Sequence, residues 1–333
     1  MPNNIVLTFD YELFMGKDSG TLESSIINPT NLILSVLKQY NASAIFFVDT
    51  AYLAKIAVDY PSEFINISKN IFSLYEQGHS VQLHIHPQWI DAVRKKDRWQ
   101  FNNYSNYRIH QSGEDEIRKM FSDGVNRLEG IISKYSGKAY RVEAFRAGGW
   151  SLQPFNKIKK SFLSNHIKYD FSVLPGFYKN NLPKHFIDYR RMKNYQSSWC
   201  FTTDPAVIEV QGEFFEIPAT TFKSNLYLRA LKKKYSSDKE VMGDGVGVGG
   251  EGKLKKLWYK LTNPYDFASL DYIQPEYLIR MLDRIKSNSE LQFYTFVAHP
   301  KVLTPNSMES LKYLLEHYNT LSFSDIKSLV NQK

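Results

Sequence analysis

One cysteine, Cys200, stands among 333 residues, so an intramolecular disulfide and a cysteine-built zinc cage are both excluded. Any metal must be held by His, Asp or Glu, and a reducing compartment is expected. No apolar run approaches the roughly 18 residues that a membrane span needs. The amino terminus also lacks a basic segment leading into an apolar core, so the expected location is the cytoplasm. The balance of 43% hydrophobic and 23% charged residues excludes disorder and collagen-like order.

What is present is length, positive charge and aromatic rings. The length allows two domains or one large barrel with insertions. Against 42 basic side chains stand 34 acidic ones, a net charge of +8 that favours an anionic partner. No helix with clustered Arg and no recognised binding module supports nucleic acid as that partner. The 22 Tyr, 22 Phe and 5 Trp suit either a thick core or a sugar-binding cleft.

Short β-rich runs alternate with amphipathic stretches. Strands are expected at 5–9, 43–48, 80–85, 140–146, 168–173 and 291–298. Pro29 and Pro61 open two helices, and Ser112-Gly-Glu-Asp-Glu opens a third with acidic residues toward its positive end. Further helices are expected near 152–165, 275–287 and 306–317. This alternation predicts an α/β protein with a mainly parallel sheet, doubly wound or closed into a barrel. Between about 175 and 272 the rhythm breaks. A hairpin over Ala206–Phe215 turning on Gln211-Gly212 is expected there, followed by the glycine-rich run 243–252. That run lacks the Lys-Ser/Thr ending of a phosphate loop, so it reads as a mobile lid edged by Lys253, Lys255 and Lys256.

The ionisable residues fall at strand ends. Asp10 and Glu12 follow the first strand, His84 and His86 end the third, Arg146 ends the fourth, Asp170 lies in the short run 168–173, and His299 ends the last. In parallel α/β folds these carboxyl ends share the face that carries the active site. An extended Gln82-Leu-His84-Ile-His86 sends both imidazoles to one side, where they can grip one ion. Adding Glu12 would leave positions open for water and substrate, with Asp10 free to act as a base.

These residues resemble the NodB-type polysaccharide deacetylases of carbohydrate esterase family 4. Thr8-Phe9-Asp10-Tyr11-Glu12 stands where the first motif, Thr-Phe-Asp-Asp, is expected. Gly78-His79 through His84 and His86-Pro87 resemble the second. Arg146-Ala147-Gly148-Gly149-Trp150 resembles the third, Asp170-Phe171-Ser172 the fourth and Val297-Ala298-His299 the fifth. The resemblance covers roughly 5–175 and 290–330. It departs from the pattern where Tyr11 takes the place of the usual ligand Asp, and where two rather than four residues separate the histidines.

The resemblance implies an irregular (β/α) barrel, often seven-stranded, formed by residues 1–175 and 273–333, with 176–272 as an inserted β-rich subdomain. It also implies metal-dependent removal of an N- or O-linked acetyl group from a carbohydrate. Asp10 would be the base, Arg146 its partner, His299 the acid and Asp170 a group tuning His299. Glu12, His84 and His86 would hold a divalent metal, with zinc the expectation. Trp89 and Trp150 are candidate sugar-stacking rings, and Gly148 and Gly149 could offer backbone N–H groups to an oxyanion. The expected substrate is an acetylated and anionic carbohydrate, an intermediate of surface polysaccharide or glycoconjugate synthesis. Two other readings are a carbohydrate-binding protein that kept the barrel without turnover and a metal-independent amide hydrolase.

Overall fold

A computed structural model describes residues 3–101, 106–181, 185–192, 196–235, 240–247, 264–286 and 291–331. Its first strand, β1 (Asn4–Tyr11), is buried almost throughout and shows why a parallel strand reads as an apolar run. Ile5, Leu7, Phe9 and Tyr11 pack outward into the helical layer, while Val6 joins an inner cluster with Ile45, Phe47, Ala144, Phe171, Ile217 and Phe293. The period of two therefore turns Thr8, Asp10 and Glu12 to the inner side.

Around β1 the sheet grows by parallel pairing. β2 (Ile45–Asp49), β3 (Ser80–Ile85), β4 (Ala144–Ala147), β5 (Tyr169–Asp170) and β6 (Phe214–Glu216) follow on one side, and β7 (Tyr294–Ala298) lies on the other. These seven parallel strands follow one another around the sheet, and among the described residues a short eighth, Asn319–Thr320, also pairs in parallel with the start of β1. The sheet curls, and the gap between β6 and β7 is bridged by irregular chain. Thr220 accepts from and donates to Thr295, and Leu270 N–H and Val297 N–H exchange bonds with Val297 and Ala268 carbonyls. The result is an irregular (β/α) barrel.

Helices cover the outside. α1 (Asn28–Gln39) and α3 (Pro61–Glu76) each carry Pro in the first turn, as expected. Between them lies an unexpected helix, α2 (Thr50–Asp59), which follows β2 with no Pro or Gly between them. Asp49 caps it through Ala51 N–H. α4 (Glu114–Ser136) starts two residues after Ser112 and stops at Gly137, whose φ of 68° is the left-handed value a C-terminal glycine supplies. The last helix, α5 (Phe323–Val330), packs Phe323, Ile326 and Val330 on the inner cluster and plugs the end of the barrel opposite the strand carboxyl ends.

The region 175–272 differs from expectation in three ways. Its strand Phe214–Glu216 is β6 of the main sheet, paired in parallel with β5, so this stretch builds the barrel as well as its rim. The hairpin over Ala206–Phe215 is not formed. Phe214–Glu216 pairs instead with Trp199–Phe201, and the residues between make the connection, with Gly212 so close to Phe201 that a Cβ would meet its backbone at 2.6 Å. The described part of the glycine-rich run, 243–247, is docked rather than free. Gly243 N–H donates to Lys301 O, Val246 N–H to Asp18 O, and Asp244 accepts from Thr21, Ser25 and Arg98. The remainder of the run and its lysines 253, 255 and 256 lie outside the described residues.

Candidate active site

β1 ends in Asp10-Tyr11 with Glu12 directly after it, and the alternation of the extended chain separates the three side chains. Tyr11 points outward and donates its hydroxyl to Asn70 at 2.8 Å, so the residue in the usual ligand position takes no part in the site. Asp10 and Glu12 point inward and face different partners.

Arg146, wholly buried on β4, donates from Nη1 to Asp10 Oδ1 at 2.5 Å, from Nη2 to Thr8 Oγ1 at 2.9 Å and from Nε to Phe171 O at 3.1 Å. Burial would raise the Asp10 carboxyl, but the Arg146 guanidinium, with His84 and His299, outweighs it and holds Asp10 below the usual carboxylate range. Its second oxygen, Oδ2, lies 3.4 Å from His299 Nε2.

Glu12 Oε2 lies 2.9 Å from His84 Nε2 and 2.6 Å from His86 Nε2, and the three residues form one cluster whose donor atoms all lie within 4.8 Å of one another. His84 Nδ1 is 2.7 Å from Arg146 O, a carbonyl that can only accept, so Nδ1 carries a proton and the ring is fixed with Nε2 toward Glu12. One carboxylate oxygen beside two imidazole nitrogens is a donor set that a divalent cation can take over from the bridging protons, and the carbonyl bond behind His84 is the outer support such ligands use. The residues therefore fit a metal. Asp49 Oδ1 accepts from His86 N–H at 3.2 Å, fixing the strand end, and Gly148 passes so close that a Cβ would lie 2.9 Å from His86 Nδ1. Burial pushes the Glu12 carboxyl up, yet Lys301 and the two histidines carry it well below its ordinary value.

His299 follows β7. Its Nδ1 sits 2.7 Å from Asp271 Oδ2, and its backbone N–H donates to Asp271 Oδ1 at 2.8 Å. Burial opposes protonation, but Asp271, then Asp10 and Glu12, push the imidazole up to about 9. The group expected to tune His299 was Asp170. Instead Asp170 accepts from Ser172 N–H and Oγ and lies against Glu216 in the next strand, both carboxyls fully buried. Burial and the neighbouring Asp170 push the Glu216 carboxyl well above its ordinary value.

Asp10, Glu12, His84, His86, His299, Asp271 and Lys301 open into a cleft of about 430 Å³, whose walls include Tyr107, Gly149, Trp150, Phe177, Phe267 and Tyr272. Trp150 flanks the centre with its ring 5.0 Å from the Arg146 guanidinium carbon and a φ of 61°, rare for a bulky residue. Trp89 does not reach the cleft. It is 1% exposed, packs on Tyr52, Trp99 and Phe101, and donates its indole N–H to Asp49 at 2.6 Å. Its expected sugar contact is replaced by a bracing role, because the turn after His86 carries the indole to Asp49 at the end of β2.

Two site residues were missed from sequence. Asp271 lies at the edge of the stretch expected to be inserted, with no motif around it. Lys301 was signalled only by the local run His299-Pro300-Lys301, and its Nζ sits 2.6 Å from Glu12 Oε1 and 2.7 Å from Leu13 O.

No protein-family model matches the sequence, and no curated protein matches it either. Solved structures do resemble it. A Mycobacterium smegmatis protein described as a polysaccharide deacetylase superposes over 99% of this chain and 90% of its own, with a TM-score of 0.50 and 13% identity. A peptidoglycan N-acetylglucosamine deacetylase catalytic domain from Eubacterium rectale covers 97% and 89% (TM-score 0.41, 13% identity). The polysaccharide deacetylase Bc1974 from Bacillus cereus covers 96% and 92% (TM-score 0.40, 11% identity). The seven-stranded parallel barrel and the first of these likenesses together give the chain the fold of the NodB-type polysaccharide deacetylases, the family that its motifs resemble.

Proposed function

We propose that the protein is a metal-dependent hydrolase that removes an acetyl group from a carbohydrate. The observation that carries this reading is the convergence, in one cleft, of an arginine-held carboxylate, a Glu-His-His cluster and a carboxylate-held histidine.

Glu12, His84 and His86 would hold the ion. Bound there, a divalent metal supplies Lewis-acid polarisation of the acetyl carbonyl and acidifies a water. Asp10 accepts the proton of the attacking water at Oδ2, since Oδ1 is occupied by Arg146. The hydroxide oxygen bonds to the carbonyl carbon and the negative charge moves to the acetyl oxygen. His299, protonated because Asp271 holds it so, then donates from Nε2 to the sugar nitrogen or oxygen as the bond to the acetyl carbon breaks. Acetate and the deacetylated sugar leave. Trp150, Tyr107 and Tyr272 offer rings to the sugar, Gly149 brings backbone close to the reacting carbonyl, and Lys179 on the wall supports an anionic substrate.

The test is acetate release from N- and O-acetylated oligosaccharides by the metal-loaded protein. Chelation and Asp10→Asn should each abolish release. Sugar binding without acetate release under any divalent metal would leave the carbohydrate-binding reading standing instead. Release that survives complete metal removal would favour the metal-independent hydrolase.

A further inference from the structure

The Glu12 carboxylate is divided. Oε2 faces the two imidazoles, whereas Oε1 is taken by the Lys301 ammonium at 2.6 Å, with His299 Nε2 farther off at 3.7 Å. Lys301 is itself 6% exposed and anchored a second time on Leu13 O. It is held there from behind, because its own carbonyl accepts from Gly243 N–H and that of Leu303 from Met242 N–H. The glycine-rich segment thus fixes the turn that carries the lysine.

We propose that Lys301 is a positioning residue that acts as a resident cation of the metal site. It confines an incoming ion to Glu12 Oε2 and the two histidines, and keeps the site's affinity for divalent ions low. Two consequences follow from charge. Glu12 and Lys301 cancel, so a divalent ion meets a neutral donor set in place of an anionic one. The ammonium also repels that ion across a buried gap, where a like charge acts through a low effective dielectric. In return, Glu12 is paired and in place before the ion arrives, so the site is preformed. The inference rests on Glu12, His84 and His86 being the ligands, as the proposed function holds.

Zinc chloride titrated calorimetrically into the chelator-treated full chain at pH 8 tests both. Lys301→Met keeps the stem and removes the charge, and it should bind zinc at least about tenfold more tightly than the native chain. Lys301→Arg keeps the charge and should bind like the native chain, a contrast that loss of packing alone would not give. Equal or weaker binding by Lys301→Met, while His84→Ala abolishes binding, overturns the role of Lys301 and leaves the ligand assignment intact. Zinc binding unaffected by His84→Ala and His86→Ala overturns the ligand assignment, and the inference with it. If Lys301→Met folds only with zinc, affinity is read from the zinc dependence of its unfolding midpoint, with the same tenfold criterion.

Discussion

Asp271→Asn removes the charge that keeps His299 protonated while preserving the size of the side chain. In the native protein the His299 imidazole stands at about 9 against an ordinary 6.5. A histidine whose folded value is raised stabilises the fold fully below its unfolded value, and that contribution is lost as pH climbs through the folded value. The stabilisation is therefore complete below pH 6.5 and gone above about 9. At about 1.4 kcal/mol for each factor of ten in proton affinity, it amounts to about 3 kcal/mol. In Asp271→Asn, burial works against Asp10 and Glu12 alone, and the imidazole falls toward its ordinary value. Urea unfolding of both metal-free proteins across this range should show their stability gap narrowing by about 3 kcal/mol between pH 6 and pH 10. The His299 ring resonance should titrate near 9 in the native chain and well below that in the variant. A stability gap that stays constant across the range, or an unmoved titration, would refute the assignment of Asp271 as the partner of His299.

Other perturbations read other contacts. Arg146→Met strands the buried Asp10 carboxylate without its partner and should cost about 3–5 kcal/mol in urea unfolding. Gly148→Ala places a Cβ 2.5 Å from Ile85 O and 2.9 Å from His86 Nδ1; it should weaken zinc binding in calorimetry by at least about tenfold, in the range that loss of ligand support produces. Trp89→Phe should lower stability by about 1–3 kcal/mol because Asp49 loses a buried donor, whereas Trp150→Ala should raise KM for acetylated oligosaccharides with little change in stability.

Much of the site was legible because it is local. Asp10 and Glu12, or His84 and His86, lie two residues apart on strands, and strand geometry sends such pairs to one side. A parallel sheet then brings the strand ends together, so the order of motifs along the chain carried the map. Trp89 shows where this reading stops, since proximity to a motif does not reveal which way the following turn folds. Asp170 shows the same limit, as its strand lies beside Glu216, a neighbour 46 positions away.

By itself the sequence determined the parallel α/β architecture and the candidate base, acid and ligands, because hydrophobic period and strand-end chemistry are properties of a few adjacent residues. Tertiary structure alone decided that Asp271, and not Asp170, holds His299, that Lys301 shares Glu12 with the histidines, and that 243–247 is docked against the turn bearing that lysine. Each of these is a contact between segments distant from each other or lacking a motif. Only the closing of the barrel brings such groups to within hydrogen-bonding distance.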